Sequence, residues 1–356
     1  MQKLIASRIA LLQGFVLALF LGAATTLADA GENKAQGKVL EITVHGAALE
    51  HNRVGDSAER GVSIYLPPDY ESSARRYPVL YLLHGYTGSE RGWMNPAYVG
   101  LPQIMARLLE HHAIEPMIIV MPNSFNRFGG SFYANSELSG GWEDFIVDDL
   151  VGYVDTHYRT IAKADSRGIA GHSMGGYGAL RLGLQHPEVF SVAYGMSPCC
   201  SYWNEKEDRE GVMKAQRGKN LEEVVKSGIG PQVDLALAAA FSPNVHNPPL
   251  GVDWPFDAKG RAVPEVVAKW KANQLDEITV KYAAGEARLH ALGFDVGRQD
   301  ENSDILIGAR KLDREMSKLG VAHEYSEYDG THNSRIGERM EKVVLPLMSK
   351  KLATIN

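Results

Sequence analysis

Residues 168–187 read GIAGHSMGGYGALRLGLQHP. A short apolar run leads in, glycines surround a single serine, Ser173, and a helix-patterned segment runs on to Pro187. In Gly171-His172-Ser173-Met174-Gly175 a strand has to become a helix within one sharp bend. Glycine on either side removes the Cβ atoms that would collide there, so the serine hydroxyl projects from the carboxyl edge of the sheet. Tyr177, Leu180 and Leu184 follow at helical spacing, and Pro187 lies past the helix end. Strand, nucleophile elbow and helix are therefore the reading of this stretch.

The same grammar extends outward. KVLEITVHG (38–46) and GVSIYLPP (61–68) alternate and predict two strands of a hairpin or meander. VLYLLHG (79–85) is a continuous apolar run too short for a helix, which predicts a strand buried on both faces. A helix near 101–112, the strand MIIVMPN (117–123) and a helix from Trp142 to His157 precede the opening stretch. Beyond the insertion discussed below come ALGFDVG (291–297) as the seventh strand, a helix from Ser303 to Leu319, the strand VAHEYSEYD (321–329) and a closing amphipathic helix. Alternating strands and helices argue for an α/β fold with a mostly parallel sheet covered by helices on both faces.

The alternation lapses between about 201 and 289, after the sixth strand. A charged helical segment, NEKEDREGVMKAQRGKNLEEVV (204–225), and a proline-rich loop, SPNVHNPPLGVDWPFDAKGRAVP (242–264), fall there before further helix. Such a stretch is too long for a connecting loop and is expected to pack over the sheet as a lid that sets substrate choice.

Composition sets the outer limits. The 356 residues are 44% hydrophobic and 22% charged, an ordinary globular balance with apolar mass for a large core. The net charge of −6 offers no basic footprint for nucleic acid. Lys3 and Arg8, the apolar run IALLQGFVLALFL and Ala28-Asp29-Ala30 form the pattern of a secretory signal, residues 1–30, cut after Ala30. The run is broken by Gln13 and Gly14 and is shorter than the roughly 20 residues of a membrane span. No cysteine near the cut could carry a lipid anchor. Residues 31–356 are thus expected as one exported domain, periplasmic or extracellular. The two cysteines, Cys199 and Cys200, are adjacent. Cα atoms about 3.8 Å apart lie below the usual disulfide range, so two small buried thiols are expected.

A serine hydroxyl needs a base to become a nucleophile. His332, in YDGTHNS (328–334), lies in the turn after the last strand, on the edge where the elbow opens. His84 and His172 are near the same edge, but one precedes a glycine turn and the other sits inside the elbow, and both read as packing or hydrogen-bonding residues. His111 and His112 fall at a helix end. No H-E-x-x-H or clustered Cys/His spacing points to a metal, and no cofactor is implied. An acid must orient the imidazole. Asp295 lies within a strand, Asp304 follows Ser303, a good helix N-cap, and Glu301 has a longer, less fixed side chain. Asp300 sits in the free loop and is the expected acid. The order Ser173, Asp300, His332 is that of an α/β-hydrolase arrangement. The oxyanion would be met by the backbone N–H groups of Met174 and of Tyr86, in LHGYTG (83–88).

These residues, with YPVLYLLHGYTGSERGW (77–93), FYANSELSGGWEDFIVDDLVGYVDTHYRT (132–160), GIAGHSMGGYGAL (168–180), FSPNVHNPPLGVDWPF (241–256), DVGRQDE (295–301) and HEYSEYDGTH (323–332), carry a resemblance. The chain resembles the esterase D and feruloyl esterase-like branch of the α/β-hydrolase superfamily, which also includes enterochelin esterases and mycolyltransferases. The resemblance implies a serine hydrolase acting on carboxylic esters, with Ser173, Asp300 and His332 on the triad positions and Tyr86 and Met174 on the oxyanion positions. Similar proteins often carry Gly-Thr-x-Asp around the acid, where this chain reads Gly297-Arg298-Gln299-Asp300. Two alternatives remain: acyl transfer to an alcohol other than water, and a secreted binding protein without turnover.

The substrate expected is a small-molecule or carbohydrate-linked ester. Phe125, Phe128 and Tyr86 join Trp93, Tyr133, Trp142, Trp203 and Trp254 in segments near the catalytic edge, the last five as candidates to hold an acyl group. The same aromatics could instead pack the insertion onto the sheet.

Overall fold

A computed structural model describes residues 36–354. The signal-sequence expectation falls on residues 1–30, outside the described residues. Among the described residues, no helix is long and apolar enough to cross a membrane.

Eight strands form the central sheet: β1 (Lys38–His45), β2 (Glu59–Leu66), β3 (Val79–Leu83), β4 (Ile118–Pro122), β5 (Arg167–His172), β6 (Val192–Met196), β7 (Ala291–Gly297) and β8 (Glu324–Tyr328). Their order is β1-β2-β4-β3-β5-β6-β7-β8. β2 runs antiparallel to both its neighbours, and the pairs from β4 through β8 are parallel. Alternate residues of the apolar runs face opposite layers. Val79, Tyr81 and Leu83 of β3 join one core with Ile118 and Val120 of β4, while Leu80 and Leu82 join the other with Ile119 and Met121. This two-sided burial is why these strands read as unbroken apolar runs.

Helices cover both layers. α1 (Leu101–Glu110) places Leu101, Ile104 and Met105 in the second core, together with Met340, Leu345 and Met348 of the last helix. α2 begins at Trp142–Asp144, passes through a π-helical turn at Phe145–Leu150 and ends with Val151–His157. With α3 (Met174–Gln185) it covers the first core. Between β6 and β7 lie α4 (Glu205–Gln216), α5 (Leu221–Lys226), α6 (Ile229–Phe241), α7 (Pro264–Ala272) and α8 (Leu275–Ala284). The charged segment read as one helix is two, α4 and α5, parted at Gly218, and the proline-rich loop separates α6 from α7. α9 (Ser303–Lys318) follows β7. The last helix, α10, joins Ile336–Arg339, a π turn at Met340–Val344, and Leu345–Lys351.

The insertion is tied to the sheet through α3. The Tyr177 hydroxyl donates to the Asn273 carbonyl at 2.7 Å, and Arg181 donates to the Asn273 side chain at 2.9 Å and to Glu143 of α2 at 2.7 Å. Parallel register lines up the carboxyl ends of the central strands: Leu83 opposite Gly171, His172 opposite Met196, Met196 opposite Asp295, and Tyr328 opposite Gly297. The loops that leave this edge hold Tyr86, Ser173, Cys199, Asp300 and His332.

Candidate active site

Ser173 follows directly on β5, with its amide donating to Met196 of β6 at 2.9 Å. Its backbone stands at φ 58° and ψ −117°, a positive φ that a residue with a Cβ adopts only where its surroundings force it. The flanking glycines show how closely the bend is built. A Cβ on Gly171 would come within 2.3 Å of the Gly175 carbonyl oxygen, and one on Gly175 within 2.0 Å of the Leu83 oxygen. The bend lies against β3, and no side chain fits at either position.

His332 and Asp300 reach Ser173 from the two loops beyond β7 and β8. The Ser173 hydroxyl lies 2.9 Å from His332 Nε2, and Asp300 Oδ2 lies 2.7 Å from His332 Nδ1. With Nδ1–H donating to the carboxylate, Nε2 is free to accept the serine proton. The Asp300 side chain is fully buried, and its Oδ1 accepts the Asn302 amide at 2.9 Å. His332 is also held through its own backbone. Its N–H donates to Glu301 Oε2 at 2.8 Å, which keeps that carboxyl below the usual glutamate range. Its carbonyl accepts from His172 Nε2 at 2.9 Å.

The two nearby histidines have supporting places. His172 donates through Nε2, so Nδ1 accepts from the Tyr98 hydroxyl at 3.0 Å. Burial, with His332 beside it, pushes His172 down to about 3. His84 donates from Nδ1 to the Gly85 carbonyl at 2.8 Å and accepts the Ser124 amide at Nε2 at 2.8 Å. Burial pushes it down to about 4. Both rings are therefore neutral struts. His111 and His112 are exposed at the end of α1.

Of the other acids, Asp295 is buried and paired. Arg339 reaches its Oδ2 at 2.6 Å and the Tyr194 hydroxyl donates to it at 2.7 Å. The expectation for Ser303 is corrected: Asn302 occupies the N-cap position of α9, Ser303 is already helical, and no side chain caps the helix. Asp304 instead lines the space in front of Ser173.

Two cavities meet at Ser173. An aromatic cavity of about 230 Å³ is walled by Phe132, Tyr202, Trp203 and Trp270. A mixed cleft of about 660 Å³ is lined by Thr87, Ser89, Asn95 and Asn333 together with Trp93, Tyr98 and Ile229. Tyr86 and His332 border both. Met174, the first residue of α3, lines the aromatic cavity, and its N–H is one of those a helix leaves without an intrahelical partner. The helix dipole favours negative charge at this end. Tyr86 is pinned by its hydroxyl, which donates to the Phe128 carbonyl at 2.6 Å, and the next amide, Thr87 N–H, donates to Gly129 at 2.9 Å. Cys199 and Cys200 are free, with Sγ atoms 3.2 Å apart, and line the aromatic cavity rather than being buried away from it.

The aromatic residues divide. Trp203 stands in the cavity wall, its ring 5.2 Å from Trp270 and 5.9 Å from Phe256. Trp93, 1% exposed, packs in the second core against Tyr98 and borders the cleft from below. Three expectations are corrected. Tyr133 is wholly buried, its hydroxyl donating to the His84 carbonyl at 2.8 Å. Trp142 is wholly buried, its indole donating to Ser139 at 2.8 Å with Arg60 over the ring. Trp254 is half-buried against the first core and lines neither cavity. Phe125 and Phe128 also lie outside both. Trp270 and Asp234, which do line the aromatic cavity, carry no local sequence signal: one looks like a helix core residue, the other like a polar helix face. Among the described residues no group of His, Cys, Asp or Glu is placed to hold a metal ion.

A sheet of this strand order with a strained serine elbow after its fifth strand is the α/β-hydrolase fold. The family model described as "Putative esterase" matches residues 57–336, and the chain belongs to that esterase family. Over 276 residues it is 36% identical to an esterase of Mycobacterium tuberculosis, covering 76% of this chain and 52% of that protein. The chain thus spans about half the length of the curated esterase relatives it matches. It is 33% identical over 190 residues to an endo-1,4-beta-xylanase/feruloyl esterase of Xylanibacter ruminicola, covering 50% of this chain and 25% of that one. A solved ferulic acid esterase structure shares the fold with a TM-score of 0.62 at 21% identity, covering 89% of this chain and 99% of its own.

Proposed function

We propose that the protein is a serine carboxylic-ester hydrolase working through an acyl-enzyme. The observation that carries this reading is the hydrogen-bonded chain Asp300–His332–Ser173 at a strained elbow that opens into two cavities. Ser173 Oγ attacks the ester carbonyl as His332 Nε2 takes its proton, and Asp300 holds the imidazole in the required tautomer and stabilises its charge. The tetrahedral oxyanion is met by the N–H groups of Met174 and Tyr86. Collapse expels the alcohol, protonated by His332, and leaves Ser173 acylated. Water, deprotonated by the same imidazole, then releases the acid. No metal or cofactor enters this sequence.

The two cavities divide the substrate. The aromatic cavity suits a compact acyl group, and the cleft, edged by Thr87, Ser89, Asn95 and Asn333, suits a polar, carbohydrate-like alcohol. The names of one relative and one structural neighbour, a feruloyl esterase and a ferulic acid esterase, support an acyl group of this kind. The insertion acts as the wall that sets substrate choice, through Trp203 and Trp270. Export is part of the proposal and rests on the residue 1–30 pattern. The N-terminal sequence of protein recovered from the host's extracytoplasmic fraction should start at Gly31.

The test of the catalytic reading is Ser173→Ala. The parent should hydrolyse short activated esters in the presence of chelator and be labelled by a fluorophosphonate probe, and the variant should do neither. An alanine variant as active as the parent would overturn the reading.

A further inference from the structure

The aromatic cavity carries three carboxyl groups, those of Asp208, Asp234 and Asp304, and no lysine or arginine is among the residues lining it. Asp208 accepts the Asn204 amide at 2.9 Å, and Asp304 is exposed in the first turn of α9. Asp234, on α6, differs: among the described residues no hydrogen bond or ion pair reaches its carboxyl. It borders both the cavity and the cleft. Space is kept for it, since a Cβ on Gly211 of α4 would lie 2.5 Å from its Oδ2. Burial, with Asp208 and Asp304 adding repulsion, pushes this carboxyl up to about 8. A buried carboxyl with other acids close by behaves so. Lys311 sits over the Tyr202 ring but lies outside the cavity lining.

Among the described residues, acids outnumber cationic side chains in the cavity wall. The three carboxyls do not converge as metal ligands. The remaining wall is aromatic, with Trp203, Trp270, Tyr202 and Phe132 around it. Acidic groups beside indole and phenol faces attract a diffuse organic cation, which the rings hold by their quadrupoles while a carboxylate supplies the charge. We infer that the aromatic cavity selects esters whose acyl group carries an alkylammonium, and that Asp234 is the residue that sets this specificity. The inference rests on Ser173 being the nucleophile of the reading above. A cation entering the cavity also weakens the hold of Asp234 on its proton, which passes to solvent, so that the ion pair forms as the acyl group binds. An acyl chain ending in a carboxylate meets three acids there and is excluded.

The experiment compares the p-nitrophenyl ester of γ-trimethylammoniobutyric acid with its isostere, in which carbon replaces the nitrogen. In the parent, kcat/KM should favour the cationic ester by roughly tenfold, the scale of a desolvated cation–aromatic contact reinforced by charge. In Asp234→Asn that ratio should fall several-fold toward unity, and Asp304→Asn, on a different helix, should lower it less. A parent ratio of one or below, or a ratio untouched by Asp234→Asn, overturns the inference. Should neither ester turn over, the catalytic reading fails separately, and binding decides this one. Choline and its carbon isostere, titrated calorimetrically into Ser173→Ala, report on the cavity alone. Tighter binding of choline that is lost in the Ser173→Ala, Asp234→Asn double variant supports it, and equal affinities refute it.

Discussion

At the scale of single residues, two aspartates five positions apart have opposite duties. Asp300 is tied to His332, whereas Asp295 is tied to Arg339 and Tyr194 beneath the sheet edge. Asp300→Asn should therefore fold normally and lose roughly 10³–10⁴-fold in kcat, since an amide at this position favours the wrong imidazole tautomer. Asp295→Asn should do the reverse, lowering the midpoint of thermal unfolding while kcat of the folded protein stays within about tenfold, because it removes the anion facing Arg339. Steady-state kinetics beside thermal melts of the two variants would decide it, and an active Asp300→Asn would force a different acid. This assignment was legible in sequence because strand residues have little freedom to reach another loop. The Glu301 and His172 contacts to the His332 backbone were not, since main-chain partners leave no trace in residue type.

At the scale of elements, the sequence announced strands better than helices. ALGFDVG matches β7 residue for residue, and β3 and β4 differ from their apolar runs only at the ends, because two-sided burial demands an uninterrupted apolar stretch. The insertion was visible only as a lapse in the pattern. Its inner surface is defined by contacts between α6, α7 and the loop after β6, which are distant in sequence. That is why Trp142 and Trp254 looked as eligible as Trp203 for the substrate, although burial and packing separate them. Trp203→Ala should accordingly change the rank order of p-nitrophenyl esters of graded acyl length. Trp142→Phe should leave that order as it is and cost stability through the lost indole bond to Ser139. Equal rank orders in parent and Trp203→Ala would reduce the insertion to a structural cover. The elbow makes a sharper demand: Gly175→Ala has to displace the Leu83 backbone, and soluble expression should drop along with activity.

Across the whole molecule, buried titratable groups set a pH optimum of stability. His84 and His172 stay neutral in the fold down to about 4 and 3, while in the unfolded chain they take up protons below about 6.5. Each withdraws stability as pH falls below that value, by about 1.4 kcal/mol per unit. Asp234 works in the other direction. It holds its proton up to about 8 in the fold but is ionised well below that when unfolded, so stability declines as pH rises toward 8. His186 adds to this alkaline decline, because its hydrogen bond to Glu143 raises its folded value and that contribution fades as the ring loses its proton. Just below pH 6.5 the two histidines outweigh Asp234, so urea unfolding should give a maximum near pH 6.5. A free energy that climbs steadily from pH 5.5 to 8.5 would contradict this balance.

The place of β8 has a consequence for how the protein fails. Ser173 is set in the middle of the sheet by β5, whose six residues are all buried, whereas its hydrogen-bond partner His332, 159 positions later, hangs from an edge strand. β8 is five residues long, pairs on one side only, and buries fully just its last residue, Tyr328. Edge segments with few buried contacts open at lower free energy than the core. Warming should thus detach His332 from a Ser173 still held in place, and, on the proposed mechanism, ester turnover should disappear several degrees before the far-ultraviolet circular dichroism changes. Amide exchange should run fastest in the same window at β8 and the turn bearing His332. Coincident loss of turnover and ellipticity would mean that the edge melts only with the rest.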